Sequence, residues 1–161
     1  MIELSEKLLI KADVQKVWAF LTDVGKSLSF NRFHININLP KQFSINNKSE
    51  FIITHNFGFG DIEMTAKIIE CISLKRIVIS EKFTDEISKG FPHTTTFEIF
   101  EECGNTILTY SVTGTYGGRV QDISFTPILR GVIKKEIIKI KNAIESSEEV
   151  SGDIKVGYIS P

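Results

Sequence analysis

Between residues 49 and 116 the chain alternates apolar and polar positions in five runs, 49–57, 61–72, 75–84, 93–101 and 106–116, each a half-buried strand by its period of two. The richer faces are Phe51, Ile53, His55 and Phe57; Ile62, Met64, Ala66 and Ile68; Ile77, Ile79, Glu81 and Phe83; His93, Thr95, Phe97 and Ile99; and Leu108, Tyr110, Val112, Gly114 and Tyr116. Ahead of them, residues 1–11 read as a strand. Val14, Val17, Trp18 and Leu21 then recur at i, i+3, i+4 and i+7, the stripe of a short helix. A longer helical stripe follows the meander through Phe125, Leu129, Val132, Ile133, Ile137, Ile140 and Ile144. A helix arriving last must bury that stripe on the inner face of the sheet, which makes the class α+β.

Turn chemistry sets an expected register, because a slip of one residue turns a strand inside out. A Cys103-Gly104 turn pairs Phe97 with Tyr110 and Ile99 with Leu108. A Gly58-Phe59 turn pairs His55 with Ile62 and Ile53 with Met64, and a Ser73-Leu74 turn puts Ala66 opposite Glu81. The loop 85–92 is expected to pair Phe83 with His93. Two rows result: Phe51, Ala66, Glu81, Thr95, Val112, and Ile53, Met64, Phe83, His93, Gly114. Small Ala66 and Gly114 beside polar Glu81 and His93 suggest a cavity near Leu129; a concave sheet that admits only small side chains explains them equally.

Composition narrows the function classes. The 161 residues suit one domain, 42% hydrophobic and 24% charged, and the net charge of −1 supplies no basic field for nucleic acid. No apolar run reaches the length that spans a bilayer, and the first residues lack a signal-peptide pattern, so a cytoplasmic address without integral membrane association is expected. Cys71 and Cys103 lack C-x-x-C spacing and read as structural thiols.

The order of strand, helix opening Ala12-Asp13-Val14-Gln15-Lys16-Val17-Trp18 and running into Leu21-Thr22-Asp23, antiparallel meander and long last helix resembles the START and birch-allergen-like superfamily. Its polyketide cyclase/dehydrase-like branch is most similar, with Val17-Trp18 and Leu21-Thr22-Asp23 in the first helix. The last helix contributes Ile128-Leu129, Val132-Ile133, Glu136, Ile140-Lys141 and Glu145. The sequence departs at Phe30-Asn31-Arg32-Phe33, where such proteins often carry a tryptophan, and at Asn46-Asn47, where a glycine is usual. The resemblance implies a helix-grip fold over residues 1–146: a curved antiparallel sheet around the last helix, with one or two short helices after the first strand and a pocket for a small apolar ligand. Lipid carriage, quinone binding, polyketide cyclisation or dehydration and co-chaperone roles all occur on this fold, so fold alone does not choose.

Three strand ends and their loops should form a mouth of Phe57, Phe59, Ile87, Phe91 and Tyr116, with His55 and His93 one step inside. The expected ligand-binding set is His55, Phe57, Phe59, Met64, Ala66, Glu81, Phe83, Phe91, His93, Thr95, Phe97, Tyr110, Val112, Gly114, Tyr116, Phe125, Leu129 and Val132. Catalytic candidates are His55 and His93 as general bases, Glu81 as the interior carboxylate and Tyr110 as a donor. Against them, the register puts His55 and Glu81 in different rows on non-neighbouring strands, and an inward His is more often hydrogen-bonded structure. Binding or transport of a lipid-, quinone- or polyketide-like molecule is therefore the first reading. A cyclase/dehydratase-type enzyme is the second and an interaction module the third. No cofactor is expected, and no metal: His34, His55 and His93 lie on three separate strands without ligand spacing. Residues 147–161 form a tail that can stay disordered or add a strand to its own sheet or to a second copy's, giving a homodimer.

Overall fold

The computed structural model describes residues 1–58, 60–84, 90–146 and 155–159. Strand β1 (Ile2–Ile10) leads into helix α1 (Val14–Thr22), helix α2 (Val24–Ser27) and a 3₁₀ turn at Leu28–Phe30. Then follow β2 (His34–Pro40), β3 (Glu50–Asn56), β4 (Asp61–Ile72), β5 (Arg76–Phe83), β6 (His93–Glu102), β7 (Asn105–Gly114), helix α3 (Arg119–Glu145) and β8 (Lys155–Ile159). The eight strands make one sheet in the order β1-β7-β6-β5-β4-β3-β2-β8. All neighbours are antiparallel except β8, which runs parallel to β2. This is a helix-grip fold, with the long helix held against one face of the sheet.

Local chemistry explains the boundaries. Asp13 caps α1 by accepting from the Lys16 amide at 2.8 Å, and Asp23 does the same for α2 through Lys26. Between them Val14, Val17 and Leu21 are buried, while Trp18 is half-buried at the edge of the core. At the β6–β7 turn Cys103 and Gly104 both take positive φ (50° and 75°), as a type I′ hairpin requires. That turn sets Phe97 against Tyr110, whose rings stack at 4.9 Å. Phe97 is buried and Phe100 exposed, so the parity of β6 is as the turn dictates. Ile133, Ile137 and Ile140 of α3 join Phe97, Leu108 and Tyr110 in one core cluster.

Across β3 and β4 the pairing is as expected, His55 with Ile62 and Ile53 with Met64, and Asn56 with Asp61 is the outer pair. The register departs from expectation in two places. The β4–β5 turn takes three residues, with Leu74 at φ 57°, and a bulge between Ile68 and Glu70 absorbs the odd residue so that Ala66 still faces Glu81. Across β5 and β6 the pairing is offset by two: His93 lies opposite Glu81, and Phe83 pairs with Met64 alone. An even offset preserves which face is inside, so the alternation of polar and apolar residues could not detect it. The row that results is Phe51, Ala66, Glu81, His93, Gly114, ending at Ile2 of β1.

Candidate functional site

The offset places a glutamate beside a histidine, and the core is built around that pair. Glu81 of β5 and His93 of β6 are register partners, with His93 Nε2 3.3 Å from Glu81 Oε1. The other carboxylate oxygen meets His55 Nε2 from β3 at 2.9 Å. His55 does stand in a different row, two strands away, as the register argument has it. The conclusion drawn from this, that it stays apart from Glu81, is overturned: β4 presents only the methyl of Ala66 opposite Glu81, which leaves the carboxylate free to lean across. On the far side His34 of β2 is the register partner of His55, and the rings meet edge to face at 4.6 Å. Because β2 and β3 are neighbours, separate strands do not keep these histidines apart, contrary to the sequence argument against a ligand cluster. One donor atom each from His34, His55 and Glu81 fall within 4.8 Å of one another.

All of this is dry. His34, His55 and Glu81 are 4%, 1% and 1% exposed, a depth at which an ionised carboxylate must be compensated. Burial alone would raise the Glu81 carboxyl, but the charge of His93 and the contacts to His55 and His93 outweigh it and hold it well below the ordinary range. Burial likewise opposes the charge on His93, and Glu81, with the Phe91 carbonyl that accepts from His93 Nδ1 at 2.7 Å, raises it. Glu81 and His93 are therefore an ion pair. His34 is the reverse case: burial and then the charge of His55 push it down to about 3, so it is neutral. Its Nδ1 lies 2.8 Å from the Leu28 carbonyl, which can only accept, so the proton sits on Nδ1 and Nε2 presents a lone pair. Neither imidazole aims an N–H squarely at Glu81. Both of its oxygens, both nitrogens of His55 and Nε2 of His34 lack a directed hydrogen bond among the described residues.

A second polar pair lies on α3. Glu136 is 1% exposed, and its Oε2 accepts from the Tyr110 hydroxyl at 3.0 Å. Burial raises its carboxyl to about 8, against the lowering effect of that hydrogen bond, and burial with the nearby Glu136 raises Tyr110 well above its ordinary value. The sequence reading did not include Glu136 in the site. The signal was present: it falls four residues after Val132 and four before Ile140, a carboxylate inside the apolar stripe.

Aromatic rings join these groups into a ladder. Phe33 contacts Phe57 at 5.2 Å, Phe57 stacks on His55 at 5.2 Å, and His55 meets His93 at 6.1 Å. His93 stacks on Phe91 at 5.0 Å, Phe91 on Tyr116 at 4.7 Å and Tyr116 on Phe125 at 4.4 Å. Phe33, Phe57, Tyr116 and Phe125 are half-buried, whereas Phe91 is core. Of the other expected contacts, Met64, Ala66, Thr95, Phe97, Val112, Leu129 and Val132 are buried on the inner side and Phe83 is half-buried. Phe59 and Ile87 lie outside the described residues.

Gly114 does not mark a void. A Cβ built there would lie 2.6 Å from the Pro92 carbonyl oxygen, 2.7 Å from His93 Cβ and 2.8 Å from Phe91 Cζ. The absent side chain lets Phe91 and Pro92 cross close over β7, so the cavity expected beside Gly114 is corrected to a close approach. Gly114→Ala is accordingly expected to destabilise the fold by about 1–3 kcal/mol, the usual cost of overpacking. A urea midpoint equal to the parent's would contradict the packing described.

No family model matches the chain, and no curated protein is similar to it at a significant level. Solved structures do match in fold. Among them are DynU16, described as a putative protein in the dynemicin biosynthetic locus (13% identity, TM-score 0.67), and the di-domain ARO/CYC StfQ from the steffimycin biosynthetic pathway (13%, 0.66). The matches cover 96% and 89% of this chain but only 51% and 50% of those proteins. TTHA0849 from Thermus thermophilus aligns over 88% of this chain and 96% of its own at 9% identity, with a TM-score of 0.66. At such identities the likeness is one of fold. No helix among the described residues is long and apolar enough to cross a membrane.

Proposed function

We propose that this domain binds a small, mainly apolar molecule bearing a polar group, with its apolar body on the aromatic ladder and its polar end toward Glu81, His55 and His93. The observation that carries this reading is the set of buried polar atoms on His34, His55 and Glu81 with no directed partner among the described residues. Core atoms left so are costly, about 1–3 kcal/mol each, and a ligand that hydrogen-bonds them offsets the cost. Stacked rings of the kind from Phe33 to Phe125 favour a planar, polyketide-like body over a flexible acyl chain. The occurrence of the same fold in a putative protein of the dynemicin biosynthetic locus and in the ARO/CYC StfQ of the steffimycin biosynthetic pathway supports the same choice.

Catalysis of the cyclase or dehydratase type is the second reading, and one feature favours it: the Glu81–His93 ion pair beside His55 gathers an acid and a base on one face. There a base would take a proton from the carbon next to a carbonyl, that carbon would bond to a second carbonyl carbon, and the new alkoxide would take the proton to become a hydroxyl. Removal of a second proton from the same carbon would then form a carbon–carbon double bond and expel the hydroxyl, which takes up that proton and leaves as water.

The test is native mass spectrometry of gently purified, chelator-treated protein, looking for a co-purified small molecule, followed by titration with hydroxylated polycyclic aromatics. Saturable binding is expected, weakened about tenfold (near 1.4 kcal/mol) in Tyr116→Leu, which removes a half-buried ring of the ladder. If no member of that class binds, or if Tyr116→Leu binds as the parent does, the ladder is not a ligand surface. Turnover that falls roughly 10² to 10⁴ in His55→Gln at unchanged affinity would establish the catalytic reading.

A further inference from the structure

We infer that His34 Nε2, His55 and one carboxylate oxygen of Glu81 form a binding site for a divalent cation of the zinc type, with at least one coordination position left for an exogenous ligand. Two imidazoles and a carboxylate are a donor set that zinc accepts, and three protein ligands are the number at which a site keeps an open position. Here the donors converge within 4.8 Å, so small side-chain adjustments suffice to close on one ion.

Each residue is prepared in a way that an ordinary core polar group is not. His34 donates through Nδ1 to the Leu28 carbonyl, which fixes both its tautomer and its ring direction and leaves Nε2 as a lone pair with no hydrogen-bond partner among the described residues. That is the outer-shell arrangement by which metal-ligating histidines are usually oriented. Neither nitrogen of His55 has a directed hydrogen bond among the described residues, so nothing there opposes the tautomer that offers a lone pair to an ion. Glu81 is held by His93 at Oε1, while Oε2 lies beside His55. His93 thus plays the outer-shell part on the carboxylate, as Leu28 does on His34. A cation also adds to the compensation that His93 gives: it brings a directed bond to a buried carboxylate whose oxygens have no aligned hydrogen bond among the described residues. The three residues come from β2, β3 and β5, whose positions are set by sheet register and not by a flexible loop.

This goes beyond the ligand-binding reading of the same face, and the two fail separately. Capture of an organic molecule by chelator-treated protein tests the first, and metal titration in the absence of any organic ligand tests the second. The full chain is dialysed against chelator, then titrated with Co²⁺ as a spectroscopic probe and with Zn²⁺ in competition. Expected are one equivalent bound, the intense visible d–d bands of four- or five-coordinate Co²⁺, and stoichiometric displacement by Zn²⁺. His34→Asn keeps an amide N–H for the Leu28 carbonyl but has no second nitrogen for the ion, so it should fold and bind Co²⁺ about 100-fold more weakly or worse. His93→Gln alters only the outer shell and should lose about 10- to 100-fold. A parent protein that takes up no stoichiometric Co²⁺, or gives only the weak octahedral spectrum, overturns the inference without reference to any variant. So does a folded His34→Asn or Glu81→Gln that binds Co²⁺ as the parent does.

Discussion

Replacing Glu81 by alanine in the metal-free protein is expected to lower the free energy of unfolding by about 3–5 kcal/mol, the range for removing one member of a buried ion pair. At about 2–4 °C per kcal/mol for a domain of this size, the melting temperature should fall by roughly 6–20 °C. The physical reason is the orphan left behind. His93, 6% exposed at its side chain, keeps its Nδ1 hydrogen bond to Phe91 but loses the charge that raises its affinity for a proton, and His55 loses the carboxylate oxygen 2.9 Å from its Nε2. The control is a variant carrying Glu81→Leu and His93→Leu together. It buries no charge, so it should recover most of the loss, since apolar replacement of a buried pair is often neutral or stabilising. Urea unfolding at pH 7 with an unchanged denaturant slope measures both. If Glu81→Ala costs less than about 1 kcal/mol, the pair is solvated and the dry site described above does not exist. If the double variant is as stable as the parent, the pair contributes nothing net to the stability of the fold, which leaves binding or chemistry as its role.

What could be read from the chain alone divides along a physical line. Features fixed by local chemistry were legible: the Cys103-Gly104 turn with both residues at positive φ, the pairing of Phe97 with Tyr110, and the α3 stripe that runs from Leu129 to Ile144. These depend on residues close in sequence or on a parity that burial enforces. The site depends on what parity cannot see. Whether His93 faces Phe83 or Glu81 is an offset of two residues, which leaves every side chain on its own face and is decided by the connection 84–92, whose composition favours neither. That offset turns an isolated glutamate into an ion pair. His34 carried no signal of its own, since its role arises only when β2 is laid against β3, with a bulge just beyond it. Gly114 was ambiguous for a different reason: a missing side chain marks a void or a close crossing of backbone equally well, and only the Pro92 carbonyl distinguishes them. Glu136 alone was legible and overlooked.

Glu136 gives the remaining large effect, and it appears as a dependence on pH. Its folded-state carboxyl titrates near 8, above the ordinary 4.5, because burial disfavours the charge more than the Tyr110 hydrogen bond supports it. A group whose folded value is raised binds its proton more tightly in the folded state, so its contribution is fully present below 4.5 and is lost as pH rises through 8. The groups facing it are Tyr110 from β7, Glu81 and His93 across the core and Lys139 on its own helix. Glu81 pushes Glu136 further up, and His93 and Lys139 pull it down. Over pH 5 to 9 the linkage amounts to about 4 kcal/mol, of which roughly a third falls between pH 7 and 9. Glu136→Gln removes the titration while keeping an acceptor for the Tyr110 hydroxyl. The difference in unfolding free energy between variant and parent should therefore shift toward the variant by about those amounts as pH is raised. Tyr110→Phe is the complementary control: it deletes the hydrogen bond that supports the carboxylate, so it should steepen the parent's loss at high pH, whereas Glu136→Gln flattens it. Parallel pH profiles for parent and Glu136→Gln would show that the carboxyl is ionised throughout. The core would then hold two buried carboxylates, Glu81 and Glu136, with His93 as the cation between them.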